Sequence, residues 1–389
     1  MPLDTAQLLV QLQEMANHAE TRERGRWLEE ARRLLHLVRR DEVIGKLDLQ
    51  RQRGVPWLTA EPLGELDERH APPTLPREIT VAAADGSSIP PDRHSPLRFC
   101  VINTGWVRLR YGENPGFESG VETRVRYRYD ELYFGGDPTR PVEGNVLSAL
   151  MMVAELRALR RAVEESPRPV VGLLDGTMIL WSIQSEPDEV RTAVLEQYLQ
   201  ELDWFAQERV PVGSYISAPG SFDVSNTLRV WLCPEPSRTC RLCVQEEALR
   251  LCRELRHVRD AYLYAAELAP GERTAPFRSR SHVLTHYGPH EVHFVYLHTG
   301  EEIARLEVPA WVVGDEELFG LLHAAVVDQC RRSGDQPPYP PALHEAHEQA
   351  VISAADRRYL ELLLEEVLAR LGRPGGWGAK AHHKRVRGV

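Results

Sequence analysis

The hydrophobic positions near the amino terminus follow a helical period. The apolar residues that recur at this spacing are Leu8, Leu9, Leu12 and Met15 and, after a charged break, Trp27, Ala31, Leu34, Leu35 and Val38. A stretch that interrupts regular structure follows, with prolines at Pro56, Pro62, Pro72, Pro73 and Pro76. The pattern predicts an amino-terminal helical arm and a Pro-rich linker over residues 1–74.

The pattern changes after residue 78 to short apolar runs that are typical of strands. The first run, ITVAAAD, consists of small apolar residues and enters the sequence Asp85-Gly86-Ser87. We expect it to be a buried strand that ends there, with RFCVINTGWVRLRY and the alternating VETRVRYRYD as its antiparallel partners.

The following segments alternate between helical and strand patterns. Helices are predicted at 141–164, 188–207, 246–265, 316–332 and 344–371, and strands at 169–175 and 210–217. The segments HEVHFVYLH and EEIARLEVP predict a hairpin that turns at Thr299-Gly300. This order predicts an α/β domain over residues 75–372, with a mixed sheet flanked by helices. Residues 373–389 are expected to form a basic flexible tail.

Composition and charge narrow the functional classes. The 389 residues carry 47 Lys plus Arg against 57 Asp plus Glu, so the net charge of -10 argues against a surface that coats nucleic acid or anionic membrane. No apolar stretch is long enough to span a membrane, and the acidic start does not resemble a signal peptide, so we expect a cytoplasmic protein. The sequence also contains no phosphate-binding loop of the G-x-x-x-x-G-K-[ST] type.

Two Asp-Gly pairs are the first candidates for chemistry. Asp85 and Asp175 each follow a buried apolar run, and such strand ends are where α/β sheets present catalytic groups. A single Asp-Gly pair more often starts a turn. Two pairs with a hydroxyl residue after each glycine, ADGSS and LDGTM, favour a shared polar crevice.

Glu155 is the third acidic candidate. Its helical neighbours Met151, Met152 and Leu159 are apolar, and a carboxylate on such a face is costly unless it is paired, protonated or bound to a metal. An ion pair with Arg157 or Arg161 would also explain it. Together with Asp85 and Asp175 it would form an all-oxygen site suited to Mg²⁺ or Mn²⁺, and two such ions ~3.5–4 Å apart favour a phosphodiester substrate.

A tyrosine and two histidines are further candidates. Tyr215 stands at the end of a predicted inner strand, where its phenol could bind a phosphate or simply pack in the core. His344 and His347 lie three residues apart on one face of a predicted helix, which does not fit the zinc-protease spacing. One of them could bind a metal, orient water or protonate a leaving oxygen, although a helix-capping role is equally simple.

Four of the six cysteines form a separate cluster. Cys233, Cys240, Cys243 and Cys252 follow the pattern C-x6-C-x2-C-x8-C, which could provide a tetrahedral structural zinc site or hold an iron–sulfur cluster. Free thiols are the alternative, because Cys252 lies among leucines and could only pack. The segment of about residues 230–270 is therefore predicted to be an insertion with its own role.

Taken in order, several short motifs resemble the NurA nuclease family over roughly residues 75–372. They are ADGSS at Asp85, the helical Glu155, LLDGT at Asp175, SYIS at Tyr215 and YPPALHEAH, which ends at His347. Each motif alone is weak, whereas their order and spacing are specific.

The resemblance implies an RNase H-like core, a homodimer and dependence on Mn²⁺ or Mg²⁺. It further implies single-strand endonuclease and 5′ to 3′ exonuclease activity on DNA, with a hexameric ATPase of the HerA type as partner in DNA end resection, in repair or in defence. By the family's motifs, Asp85, Glu155 and Asp175 match the metal-binding acids, Tyr215 the strand-end tyrosine and His347 the last-motif histidine. Two other interpretations stay open: a non-catalytic DNA-gripping assembly subunit on the same fold, and another RNase H-like nuclease or resolvase.

Overall fold

The computed structural model describes residues 3–18, 22–52, 57–234, 250–334 and 337–373. Its helices are α1 Thr5–His18, α2 Arg22–Leu37, α3 Arg40–Gln52, α4 Tyr129–Leu132, α5 Gly144–Glu164, α6 Asp188–Gln207, α7 Asp223–Leu232, α8 Arg250–Glu254, α9 Asp260–Tyr264, α10 Ala310–Val313, α11 Glu316–Arg331, α12 Pro341–Ala350 and α13 Ala354–Arg370. Within these described ranges, no helix combines the length and apolar character needed to cross a bilayer.

One sheet of 11 strands organises the structure. The strands are β1 Ala60–Pro62, β2 Arg69–His70, β3 Ile79–Ile89, β4 Cys100–Tyr111, β5 Gly116–Arg126, β6 Val170–Asp175, β7 Val212–Ile216, β8 Arg273–Thr274, β9 Phe277–Ser279, β10 Val292–His298 and β11 Ile303–Pro309. The main order is β1-β9-β10-β11-β7-β6-β3-β4-β5, and β8, which pairs with β2, adds to β10. Among the described strands, only β3, β6 and β7 pair in parallel, which confirms the predicted mixed sheet flanked by helices.

The helices cover both faces of this sheet and build separate cores. On one face, α5 and α6 pack against inward residues such as Ala84 of β3 and Leu174 of β6. On the other face, α11 and α12 pack against the alternate residues, including Ala83 and Leu173. Because side chains alternate along a strand, successive residues at the end of β3 point to opposite helical layers.

Much of the predicted amino-terminal arm packs in a third hydrophobic core. Leu34 and Leu35 of α2 and Leu47 of α3 pack with Leu228 of α7 and Tyr296 of β10. Helix α1, by contrast, leaves its apolar residues largely in solvent, with Leu9 57% and Met15 63% exposed. The predicted linker also differs, because β1 lies within it and pairs with β9.

The strand boundaries are close to prediction, with one important exception. The hairpin of β10 and β11 turns at the predicted Thr299-Gly300, and α6 has the predicted bounds. The prediction that the first inner strand ends at Asp85 is wrong, because β3 continues to Ile89 and stays paired with β4 throughout. The polar residues after Asp85 are typical of a turn, yet their backbones stay paired with β4.

Two predicted helices are also interrupted. The helix predicted from residue 344 to 371 is two helices, because α12 ends at Ala350 and Ser353 caps α13 by accepting a hydrogen bond from the Asp356 amide. Residues 246–249 of the helix predicted over 246–265 lie outside the described residues, and the described part breaks after Glu254, with α9 beginning only at Asp260. Asp260 itself caps α7 by accepting the amide hydrogens of Val224 and Ser225, so this end of the predicted insertion is built into the fold.

Candidate active site

Asp85, Asp175 and Tyr215 lie in one row across three adjacent strands. Ala84 pairs with Leu174, so the next residues, Asp85 and Asp175, are level on β3 and β6. Asp175 pairs in turn with Tyr215 of β7. By alternation all three side chains point to the layer of α11 and α12, and neighbouring strands are only ~4.8 Å apart. The sheet therefore brings the two predicted acids together.

Glu155 approaches the same place from the opposite face of the sheet. It lies on α5 and is 9% exposed. A Cβ built on Gly86 would lie 2.5 Å from Glu155 Oε1 and 2.9 Å from its Cγ. The glycine after Asp85 thus leaves the space in which the Glu155 carboxyl sits, beside the backbone that carries Asp85.

Helix α12 places a histidine over Asp85 and Asp175, the two acids that we call the acidic row. His347 Nδ1 lies 2.7 Å from Asp85 Oδ2, and the His347 side chain is 52% exposed. The end of α12 is held to the sheet because the Ala350 carbonyl accepts hydrogen bonds from Ser87 Oγ and Asn103 Nδ2. Gly105 of β4 permits this contact, since a Cβ there would lie 2.6 Å from the Ala346 oxygen. His344 is exposed on the same helix, and within the described residues its side chain makes no comparable hydrogen bond or ion pair.

Tyr215 is buried below this site. Its hydroxyl donates a hydrogen bond to Glu302 Oε1 at 3.1 Å, and its side chain has no solvent exposure. A second tyrosine, Tyr339, contacts the acids directly, because its hydroxyl hydrogen-bonds to the Asp175 carboxyl. The Tyr339 ring packs edge-on against Tyr215 at 5.5 Å between centroids. Sequence reasoning missed Tyr339, although it lies within the quoted YPPALHEAH segment.

The loop after Asp175 is fixed by a buried ion pair that sequence reasoning also missed. Glu307 of β11 is 2% exposed, and its Oε2 accepts hydrogen bonds from Thr177 Oγ1 at 2.8 Å and the Met178 amide at 2.9 Å. Arg305 lies on the same side of that strand and donates to Glu307 Oε1 at 2.9 Å and to Asp223 at 2.7 Å. The guanidinium compensates the buried Glu307 carboxylate, which can then hold the loop.

Burial and neighbouring negative charge raise the pKa of two of these acids, Glu155 and Asp175. Burial raises the pKa of Glu155 to about 8, and the charges of Asp85 and Asp175 add to this effect. The pKa of Asp175 is also raised, mainly because protein atoms displace water, while the hydrogen bond from Tyr339 opposes the shift. Near neutral pH, Glu155 therefore keeps its proton unless a cation compensates the negative charge.

The side chains at this site are of the chemical type that binds a hard divalent cation. Three carboxyl groups that repel one another, beside a histidine, are oxygen-rich ligands of the type that Mg²⁺ and Mn²⁺ prefer. Among the described residues, however, no group of at least three His, Cys, Asp or Glu side chains is close enough to hold an ion as they stand. Glu155 reaches the acidic row from the other face of the sheet. For all three acids to bind one cation, the Glu155 side chain or the loop after Asp175 would have to move.

The predicted cysteine site lies only partly within the described residues. Cys240 and Cys243 are outside them. Cys233 follows α7 and Cys252 lies in α8, and both contact the same carbonyl oxygen, that of Arg229. The structure thus places two of the four cysteines near each other.

Most of the chain is similar to a known protein family. A family model described as "NurA domain" matches residues 79–352, which include Asp85, Glu155, Asp175, Tyr215 and His347. Among solved structures, the NurA nuclease from Sulfolobus solfataricus is similar at 14% identity and a TM-score of 0.47, with 95% of this chain and 98% of that chain covered. Drosophila Piwi is similar at 11% identity and a TM-score of 0.28, over 69% of this chain and 29% of that chain. The comparison with curated proteins found no match.

Proposed function

Because the chain belongs to the NurA family, we propose that it is a nuclease that hydrolyses DNA phosphodiesters with Mn²⁺ or Mg²⁺ held near Asp85 and Asp175. The observation that carries this proposal is the level position of these two acids on adjacent strands, with Glu155 and His347 converging on Asp85. Both single-strand endonuclease and 5′ to 3′ exonuclease activity belong to the proposal.

The residues of the acidic row and those around it have different proposed roles. Asp85, Asp175 and Glu155 provide the oxygen ligands, and loss of the Glu155 proton accompanies cation binding. A bound divalent ion would polarise a phosphoryl oxygen and stabilise the attacking and leaving oxygens. His347 is held by Asp85 through Nδ1, so its Nε2 is the group we propose to orient water or to protonate the leaving oxygen.

Tyr339 and Tyr215 are proposed to support the two aspartates of the acidic row. The hydrogen bond from Tyr339 favours the ionised form of Asp175, which is the form that binds a cation. Tyr215 supports the Tyr339 ring from below. Tyr215 is therefore proposed as a positioning residue that acts through Tyr339.

We also propose that the protein is a homodimer and works with a hexameric ATPase of the HerA type. The support is the family membership together with apolar surface that a lone chain leaves in water. On α13, Tyr359 is 62% and Leu362 60% exposed, and on the facing side of edge strand β5, Val121 is 50% exposed. Light scattering of the protein alone and after mixing with a HerA-type ATPase tests both partners, and a monomer that forms no complex would contradict this proposal.

The nuclease proposal is tested with purified protein and end-labelled single-stranded DNA. Cleavage is expected with Mn²⁺ and its loss with EDTA. A protein that binds the strand and the ATPase but leaves the DNA intact at every Mn²⁺ concentration would instead be the non-catalytic assembly subunit.

A further inference from the structure

The end of the edge strand β5 carries alternating arginines and tyrosines that the proposed chemistry does not use. The run is Arg124-Val125-Arg126-Tyr127-Arg128-Tyr129 and leads into α4. Tyr127 is 65% and Tyr129 57% exposed. Two largely exposed tyrosines so close in sequence are a feature of surfaces that bind a partner.

The Tyr129 ring is held in a column of packed groups. The Arg98 guanidinium carbon lies 5.1 Å from the centre of the Tyr133 ring, and the Tyr133 and Tyr129 rings are 4.8 Å apart at an angle of 40°. Tyr129 is the outer member of this column, since more than half of it is exposed. A ring already held in place loses little freedom when a flat ligand stacks on it.

Arginines alternate with these tyrosines along the chain and bring positive charge to the segment. Arg128 is exposed, and Arg126 Nε is buried without a hydrogen-bond partner among the described residues. Arg124 is bonded to Glu131 at 3.2 Å, and Glu131 also accepts the Tyr127 and Arg128 amides. Because the whole chain has a net charge of -10, a polyanion needs such a local group of arginines.

The sheet places this segment at the same edge as the acidic row. Gly86 pairs with Thr104, and Thr104 pairs with Glu122 of β5. Strand β5 runs in the same direction as β3 and β6, so Arg126 ends it at the edge where Asp175 ends β6. From strand spacing and rise, Arg126 is on the order of 20 Å from Asp85 within the sheet, because it lies two strands across and five residues beyond the level of Asp85.

We propose that Arg126, Tyr127, Arg128 and Tyr129 form a platform that stacks the bases and contacts the phosphates of single-stranded DNA outside the acidic cleft. The substrate class rests on the proposed function. Exposed aromatic rings beside arginines bind single strands without sequence preference, because every base has a face that can stack. A duplex keeps its base faces covered and gains only the phosphate contacts.

The platform is tested by fluorescence anisotropy in EDTA, where binding is separated from cleavage. The probes are a labelled oligothymidine, an abasic strand of the same length and a duplex. The variant Tyr127→Ala/Tyr129→Ala should weaken oligothymidine binding by roughly 10-fold or more and change abasic binding less than about twofold. The variant Tyr127→Phe/Tyr129→Phe should retain wild-type affinity, because phenylalanine stacks equally well.

Two further variants sharpen the test. Tyr262→Ala, at a tyrosine with 50% exposure on α9, should leave binding unchanged. Arg128→Gln should weaken binding to all three probes and reduce the slope of log affinity against log salt by about 0.7 on single strands.

The platform proposal is overturned if the wild-type protein shows no measurable binding in EDTA or prefers the duplex. It is also overturned if the alanine variant loses equal affinity for oligothymidine and for the abasic strand. Binding as predicted without cleavage in Mn²⁺ would remove the proposed nuclease function and leave the platform intact. Cleavage with tyrosine variants that bind like the wild type would remove the platform alone.

Discussion

The Glu155 carboxyl occupies the space that any side chain at position 86 would require, since a Cβ on Gly86 would lie 2.5 Å from its Oε1. This relationship explains why a glycine follows Asp85 although β3 continues as regular strand to Ile89. It also places a third carboxyl against the backbone of the acidic row and raises the pKa of Glu155.

Stability should depend on pH through Glu155. Its pKa is raised from 4.5 to about 8, so the folded protein binds this proton more tightly than the unfolded chain does. The resulting contribution to the free energy of unfolding is complete below pH 4.5 and is lost as the pH rises through 8. Relative to Glu155→Gln, the wild type should lose stability over that window in metal-free buffer, as measured by urea unfolding. Glu196→Gln, an exposed control on α6, should follow the wild type, and parallel curves for wild type and Glu155→Gln would contradict the assignment.

The two histidines of α12 should differ in effect. His347→Ala removes the group bonded to Asp85 and should lower the cleavage rate by ~10²–10⁴-fold if that group transfers a proton. His344→Ala is the matched control, because His344 is exposed on the same helix and should retain the wild-type rate. Single-turnover rates at saturating Mn²⁺ measure this, and equal losses in the two variants would speak against a specific role for His347.

The loop after Asp175 should control cation affinity. Thr177→Val keeps the side-chain shape and removes the hydrogen bond to Glu307. Residues that orient ligands in this indirect way typically affect metal affinity by ~10–100-fold, and we expect such a loss in Mn²⁺ binding by calorimetry. Thr177→Ser, which keeps the hydroxyl, should restore binding. Equal affinity of the valine variant and the wild type would show that Glu307 serves stability alone.

The cysteine cluster stays a prediction that metal analysis can decide. If Cys233, Cys240, Cys243 and Cys252 bind one ion, the protein should retain about one zinc per chain after an EDTA wash, or show a brown iron–sulfur chromophore. The site would be structural, because four thiolates leave no position for water. Absence of both metals, with all four thiols reactive after unfolding, would identify them as ordinary cysteines.

Local patterns predicted the elements whose signals lie within the segment itself. The β10–β11 hairpin has alternating apolar residues and a Thr-Gly turn, and α6 has a continuous apolar stripe between proline and a polar end. The acids Asp85 and Asp175 could be found because each follows a buried run. The end of β3 could not, because its residues after Asp85 are held by pairing with β4, which is a distant contact.

The missed residues depend on tertiary contacts in the same way. Arg305 and Glu307 occur within an apolar strand, and their spacing of two residues indicates a shared face, yet only the fold shows that Thr177 lies beside them. Tyr339 reaches Asp175 because α12 crosses the sheet, a geometry set by Gly105 and the Ala350 carbonyl. No local period in the sequence specifies that crossing.

The most direct test of the acidic row is DNA cleavage by Asp85→Asn and Asp175→Asn at fixed Mn²⁺. Each change removes one negative charge and keeps the side-chain shape, so both variants should fold with wild-type circular dichroism. Asp188→Asn, at an aspartate whose side chain is 87% exposed on α6, is the control and should cleave normally. We expect no detectable cleavage of labelled single-stranded DNA by either site variant, and a rate within about tenfold of the wild type in either one would contradict a catalytic role for these acids.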